Sequence, residues 1–591
     1  MYKCLGACFL VFPLAQVGSR VDRRVNCSRQ GHVVATVTGT PPVDPLDDRA
    51  VYKQVADQLR TLLDEGELRA GDKLPSESAL MRRFGTSRAT IRNALRQLNQ
   101  EGRVRTERGK GVFVAATSRL VIHDPASFLR GRAADEKESP LERDAHEQGF
   151  DYRQAVNLRE VPASEQVARL LAVAPDDMVF ARERVVYTRH EGATWEPAKI
   201  ANSYLPLDSA FGRIREPDTG PGGTYERIAE QGQQLTHFDE HLIFRMPDPS
   251  EARTLRLRAG VPVIDQTRVA HAGDRPVECF LAVLAGDKHQ LEYRIPTDTA
   301  VPDTVVPPTG DAVVSPLAQG HHRKPRTRTE VSGTIDLASD RPVYRQIADR
   351  IRDHINRGDL IPGDRLPSEF ALMGRFDVTR TTVRRAIQSL AAEGRVRTER
   401  GVGAFVKEVV LSEALVRQPY DRLARHHYRD EGKSGLDIDA ESRGFTHQDV
   451  HQDRVELAEV RVPGAVAEWL QIRPGTTVFR RRRRMWMGNM PTQLTNSYLP
   501  TALAVGTLRE EFTGEGGAHA RIEELGHRLT HFVERLSVRM PYPRESHALR
   551  LEQGVPVVDL YQTAYAGDRP VECFVSVIAG DRYVFTCRID A

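Results

Sequence analysis

Apolar residues return every three or four positions along residues 51–66 (VYKQVADQLRTLLDEG), at Val51, Val55, Leu59 and Leu62 or Leu63. That period predicts an amphipathic helix, which Gly66 and Gly71 end in a turn. LPSE follows at 74–77, where Ser76 is placed to cap a helix over 77–84 with Pro75 just outside it. Beyond Gly85, a second pattern puts Ile91, Ala94, Leu95 and Leu98 on one face. Arg88, Arg92 and Arg96 fall at i, i+4 and i+8 on the other. Two short runs, RVRTE and GVFV, close the block as a hairpin through Arg108, Gly109, Lys110 and Gly111. Longer runs such as TVFRRRRRMWM (477–487) and VPVVDLYQTAYA (555–566) predict strands.

The whole pattern occurs twice. LPSE recurs at 366–369 and GRVRTERG at 102–109 and 394–401, both offset by 292 residues. NSYLP (202–206, 496–500), LTHF (235–238, 529–532) and GDRPVECF (273–280, 567–574) recur with an offset of 294. The order is preserved, so a unit of about 290 residues is duplicated, too long for a solenoid repeat. Each unit has a small helical part ending in a hairpin and a larger strand-rich part. The predicted organisation is an extension or doubtful start over 1–44, a first small domain over 45–115, a linker over 116–141 and a first large domain over 142–296. A Pro-, Thr- and Gly-rich linker over 297–335 leads to a second small domain (336–407), a linker (408–437) and a second large domain (438–591). A flexible chain as long as the central linker reaches roughly 30–40 Å.

Composition adds little until it is read by domain. The 591 residues suggest about four domains and carry a net charge of +3. Residues 51–114 alone carry +5 and residues 343–406 carry +4, so positive charge concentrates in the small domains. Six cysteines (Cys4, Cys8, Cys27, Cys279, Cys573, Cys587) form no metal-spaced pair, which predicts a reduced cytoplasmic protein without a structural metal or cofactor. Residues 4–17 are apolar but too short to span a membrane. His237 and His531 in the LTHF motifs are expected to pack or hydrogen-bond, because no second ligand sits at useful spacing.

Helix, helix, turn, helix, hairpin is a winged helix-turn-helix, and its third helix suits the major groove of duplex DNA. LPSE, TSRATIR (86–92) with its partner VTRTTVR (378–384), and EGRVRTERGxG resemble the GntR family of bacterial transcription regulators. The resemblance implies DNA contacts from Ser87, Arg88, Ala89, Arg92, Arg108 and Gly109 in the first copy. In the second copy it implies Thr379, Arg380, Thr381, Arg384, Arg400 and Gly401. Glu77 and Glu369 are candidates to orient the arginines. The family commonly has an Arg after LPSE; here Ser78 and Phe370 stand there, so the two copies are expected to differ in specificity.

The large domains resemble the UTRA effector domain of the HutC-like subfamily, on VFxRxR, NSYLP and GDRPVE. That resemblance implies an α+β fold overall: two winged helices and two chorismate-lyase-like antiparallel sheets with helices. Each sheet is expected to enclose a small-molecule pocket. Arg182 and Arg184, two apart on one strand, point the same way and could clamp a phosphate or carboxylate. Arg481 and Arg483 match them. Ser203, Tyr204, Ser497 and Tyr498 offer hydroxyls, and Glu278 and Glu572 offer acceptors. The expected protein is a cytoplasmic, DNA-binding regulator, a repressor, controlled by a phosphorylated sugar or other anionic metabolite. Its two halves are expected to pair as an intramolecular pseudo-dimer, or two chains as a homodimer. The rival readings are a lyase-type enzyme on the sensor fold, a non-specific DNA-binding protein, and two adjacent genes joined. No nucleophile elbow, Walker A or metal-ligand motif supports catalysis.

Overall fold

The computed structural model describes residues 50–64, 72–100, 103–107, 110–114, 121–123, 139–190, 193–258, 260–298, 331, 334–336, 342–356, 360, 364–392, 395–399, 402–406 and 415–590. The expected extension, most of the central linker and the wing tips (Arg108, Gly109, Arg400, Gly401) lie outside these residues. The chain divides into a unit ending at Ala116 and a second unit from Thr117 onward.

In the first unit, helices Val51–Asp64, Glu77–Phe84 and Arg88–Gln100 precede an antiparallel hairpin of β1 (Val104–Glu107) and β2 (Gly111–Val114). Ser76 Oγ accepts from the Ala79 N–H at 3.2 Å and starts the second helix. Gly85 ends it at φ +61°, a left-handed position suited to glycine. Val55, Leu59, Leu62, Ile91, Ala94, Leu95 and Leu98 of the predicted faces pack the core with Leu80 and Val104, while Val51, at the start of the first helix, is exposed.

Within the second unit the same plan recurs: helices Val343–Asn356, Glu369–Phe376 and Arg380–Ala392, then β11 (Val396–Glu399) and β12 (Gly403–Val406). Ile347, Ile351, Leu372, Val383 and Leu390 pack its core. Asp377 takes the left-handed turn that Gly85 takes in the first copy.

Two eight-stranded sheets make up the rest of the second unit. The first copy supplies β3 (Val121–His123), β4 (Phe150–Pro162), β5 (Met178–His190), β6 (Glu196–Pro206), β7 (His237–Arg245), β8 (Val263–Ala272), β9 (Arg275–Ala285) and β10 (His289–Pro296). The second supplies β13 (Leu415–Arg417), β14 (Val450–Arg461), β15 (Thr477–Met487), β16 (Met490–Pro500), β17 (His531–Arg539), β18 (Val557–Ala566), β19 (Arg569–Ala579) and β20 (Tyr583–Asp590). The sheet orders are β13-β20-β7-β8-β9-β6-β5-β4 and β3-β10-β17-β18-β19-β16-β15-β14.

The copies therefore exchange strands. The last strand of the first copy, β10, pairs antiparallel with β17 of the second, and β20 pairs with β7 of the first. Each brings its leading strand, β3 or β13, alongside in parallel. One continuous apolar core runs between the sheets, with Phe244 of the first copy edge-on to Phe585 of the second at 5.2 Å.

This differs from the sequence expectation in two ways. Residues 289–296 and 583–590, placed within the first and second large domains by the sequence, each join the sheet of the other copy. Residues 415–437, expected to be linker, carry β13 and the short helices Pro419–Arg422 and Arg425–Arg429, and open a third, Gly435–Glu441. Their polar pattern hid this because charged side chains, Arg417 and Arg422, are buried among the scattered apolar ones, Leu415, Leu423 and Tyr428.

Candidate functional site

The reading helices carry the same device twice. Glu77, the first residue of its helix, accepts from Arg92 Nε at 3.0 Å and lies 3.3 Å from Arg88 Nε. Glu369 accepts from Arg380 Nε at 2.5 Å and from Arg384 Nε at 2.9 Å. Arg380, then Arg384, hold the Glu369 carboxyl below its ordinary range. Each carboxylate grips the inner nitrogen of two arginines, while all four side chains remain more than half exposed. The terminal nitrogens are thus presented on a fixed stem, the geometry a guanine edge or phosphate requires. Ser87 and Thr379 cap these helices by accepting from the N–H groups of Thr90 and Thr382. Ala89 and Thr381 are exposed on the same first turns. Ser78 is exposed and Phe370 is 83% exposed, beside their respective glutamates.

The first sensor contains a cavity of about 180 Å³. Arg182, Arg184 and Glu278 line it, as the motifs suggested. Arg182 is committed to the fold: it donates to the carbonyls of Ile214, Glu216 and Pro217, and so holds the loop that forms one wall. Arg184 donates to Ala201 O at 3.2 Å and to Ser203 Oγ at 2.6 Å, which places Ser203 behind it. Tyr204 is on the opposite face of β6, packed with Val167, Leu171 and Cys279. Tyr498 packs likewise with Val466 and Leu470 in the second copy. Adjacent strand residues face opposite ways, so a serine aimed at the cavity excludes the tyrosine beside it.

Several lining residues were not singled out from the sequence. Lys199 borders the cavity with its ammonium 4.9 Å from the Phe280 ring centre. Burial, with Arg268 and Arg184 nearby, pushes its pKa down to about 7. Arg268 donates to Glu240 Oε2 at 2.6 Å, and Glu240 also accepts from Gln266 and from Tyr293 of β10 at 2.8 Å. Burial opposes ionisation of Glu240, but Arg268, Tyr293 and Gln266 outweigh it and hold its pKa low. His123 of β3 reaches the cavity and meets Asp144 at 2.8 Å. Burial raises the Asp144 pKa to about 7 and pushes that of His123 well down. The signal that could have found Lys199 and Arg268 is the repeat itself, which places Gln493 and Gln562 at the matching positions.

In the second sensor, Arg481 donates to Glu511 O, repeating the loop-holding role of Arg182. Arg483 is half-buried. Ser497 donates to Glu572, and His519 lies 3.2 Å from the same carboxylate.

His237 acquires neighbours that chain spacing did not suggest. Antiparallel pairing of β7 and β8 sets His271 opposite it, and with Asp239 their ligand atoms lie within 4.8 Å of one another. The second copy keeps the ring stack, as His531 on Tyr565 at 4.7 Å, with Val533 in place of Asp239. Stacking is what both copies share.

A paired set of DNA-reading helices and a ligand-sized cavity define a class: ligand-responsive DNA-binding regulators. The profile described as "Bacterial regulatory proteins, gntR family" matches residues 51–114 and 343–406, and that of the UTRA domain matches 148–290 and 447–584. The mannosyl-D-glycerate transport/metabolism system repressor MngR of Escherichia coli is 30% identical over 248 residues, which are 42% of this chain and 95% of MngR. An HTH-type transcriptional regulator of Streptomyces coelicolor is 29% identical over 255 residues, 42% of this chain and 93% of its own. Among solved structures, PhnF from Mycobacterium smegmatis aligns at a TM-score of 0.25 and 24% identity, covering 40% of this chain and 97% of PhnF. The chain belongs to the GntR family of bacterial transcriptional regulators, and it carries both the DNA-binding and the UTRA effector domain twice. Among the described residues, no helix is long and apolar enough to cross a membrane.

Proposed function

We propose that the chain is a cytoplasmic, sequence-specific repressor whose two winged helices read the two halves of one operator under the control of a small anionic metabolite. The observation that carries this reading is the twice-built carboxylate grip on Arg88 and Arg92 and on Arg380 and Arg384. A solvated surface arginine has no need of such a stem. MngR's description as a repressor favours the same sign of regulation. The sensor is read as binding its ligand rather than converting it, in keeping with relatives described as transcriptional regulators. The DNA- and effector-contacting residues are part of this proposal, and so are the domain boundaries stated from the sequence, except that residues 415–437 belong to the sensor rather than to a linker. Tyr204 and Tyr498 are withdrawn from it, because they face away from the cavity.

The strand exchange inside one polypeptide favours a pseudo-dimer over a homodimer. Half-sites one turn apart lie about 34–36 Å from each other. Ligand binding would favour an arrangement of the reading heads that mismatches this spacing. The test is selection of bound DNA from a genomic pool at near-physiological salt, alongside light scattering. An enriched split site bound by a 66 kDa particle is expected. No enriched sequence would remove the specific-regulator reading, and an obligate two-chain particle would remove the pseudo-dimer.

A further inference from the structure

The two sensors balance the same buried carboxylate with different cations. Glu240 in β7 and Glu534 in β17 occupy matching positions, each opposite a strand lent by the other copy. Glu240 is neutralised by Arg268 of its own sheet, and His123 occupies the leading-strand position. At Glu534 the residue matching Arg268 is Gln562, which donates at 2.5 Å, and the cation is Arg417, the counterpart of His123. Arg417 and Glu534 are both fully buried. The guanidinium has thus moved from the wall of the site to the place where the first copy carries an imidazole.

Two further positions change in the same sense. In the first copy Tyr225 hydrogen-bonds Glu278, but Glu278 Oε2 is buried, borders the cavity and has no hydrogen-bond partner. Its counterpart Glu572 is engaged by Ser497 and His519. Lys199 projects into the first cavity, and no carboxylate or carbonyl among the described residues accepts from its ammonium. Its counterpart Gln493 is used on both sides: it donates to Tyr583 Oη at 3.0 Å and accepts from Ser576 Oγ at 3.1 Å. The Glu278 oxygen left unmatched beside the half-buried Lys199 ammonium is costly to the fold alone and is repaid by a ligand that engages both groups.

Building on the sensor reading above, we propose that the sensors have divided. The first cavity, with Lys199 and Glu278, is the chain's receptor for a small oxyanion that also carries a hydroxyl or ammonium donor. The corresponding place in the second is held by the chain's own Arg417–Glu534 pair and takes no such ligand. One ligand per chain, rather than two, then sets the state of both reading heads.

The test titrates inorganic phosphate into the full-length chain by calorimetry at pH 6.5, with thermal melting and operator binding followed in parallel. One phosphate per chain is expected. Lys199→Gln should lower affinity about tenfold or more, the scale of one lost charge-assisted bond. Gln493→Leu should leave it unchanged. Without phosphate, Lys199→Met should melt above the parent chain and Arg417→Met below it. Two phosphates per chain, full affinity in Lys199→Gln, no heat up to 50 mM phosphate, or a lower melting point for Lys199→Met would each overturn the proposal. Operator binding separates this from the regulator reading: no specific DNA binding before phosphate is added, with one phosphate still bound afterwards, would count against that reading alone.

Discussion

The two reading heads and the two sensors have had different histories inside one chain. In the heads, a glutamate at the helix start holds two arginines with nearly the same geometry in both copies. In the sensors, the buried glutamates persist, but the cations that answer them have changed places. On the proposed reading, a head works only if its guanidinium groups present one fixed shape to DNA, so drift there would be visible at once. A sensor needs only net neutrality around Glu240 or Glu534. Any arrangement that supplies a cation keeps the sheet folded, and the ligand site is free to open or close.

The comparison can be broken most directly at the heads. Arg88→Ala with Arg92→Ala should abolish recognition of one half-site, and Arg380→Ala with Arg384→Ala the other. Each well-made base contact is worth about 1–3 kcal/mol, so two lost arginines should weaken operator binding by a hundredfold or more. Gel-shift titration on the selected site would measure it, and a pair that changes nothing would mark its head as silent.

Next in size is the buried pair of the second sensor. Arg417→Met removes the cation hydrogen-bonded to Glu534, leaving only the more distant Arg422 to favour its charge, which should cost about 3–5 kcal/mol. Adding Glu534→Gln should recover most of that in a denaturant titration. His123→Met, at the matching position of the first copy, should cost much less, because Arg268 already answers Glu240.

A smaller effect sharpens the sensor comparison through pH. Lys199 has a folded-state pKa of about 7, against 10.5 for the free side chain. The unfolded chain therefore holds this proton over a range where the folded chain has released it. With no ligand, Lys199 should make the fold more stable as pH rises from about 7 towards 10.5. An oxyanion needs the charged form, so sulfate binding should run the other way and weaken about tenfold between pH 6 and pH 8. Sulfate stays a dianion across that range, so the profile reports the protein. A flat profile would remove Lys199 from the site.

The smallest expected change is at Phe370. Its exposed ring beside Glu369 suits a thymine methyl group, where Ser78 in the other head would hydrogen-bond. Phe370→Ala should relax base preference at a single position of one half-site, by about 1 kcal/mol, in the same selection experiment.

Much of this was legible in the sequence. The helix over 77–84 and the strand over 477–487 fall where the pattern put them. Ser76 caps as expected, and Glu77 and Glu369 do orient the arginines. What could not be read has physical causes. Duplicated strands are near copies, so β10 and β20 each have two suitable neighbours, and pattern alone cannot say which one they join. The stretch 415–437 looked like solvated linker because residues 421–434 are mostly polar and its apolar positions are scattered, while two of its arginines, Arg417 and Arg422, are buried and answered by Glu534 and Asp439. Lys199 and Arg268 stand outside any motif, and only comparison with Gln493 and Gln562 marks them. Tyr204 was the avoidable error, since strand alternation already set it against Ser203.

The exchanged strands bear on heredity as well as on structure. In a regulator assembled from separate chains, a defective allele or a related gene can contribute a subunit and spoil the whole assembly. Here β10 and β20 fill, from within one polypeptide, the places that a foreign chain would have to take. Acting as the proposed pseudo-dimer, the protein would be insulated from mixing with single-copy relatives, and its two halves are inherited together.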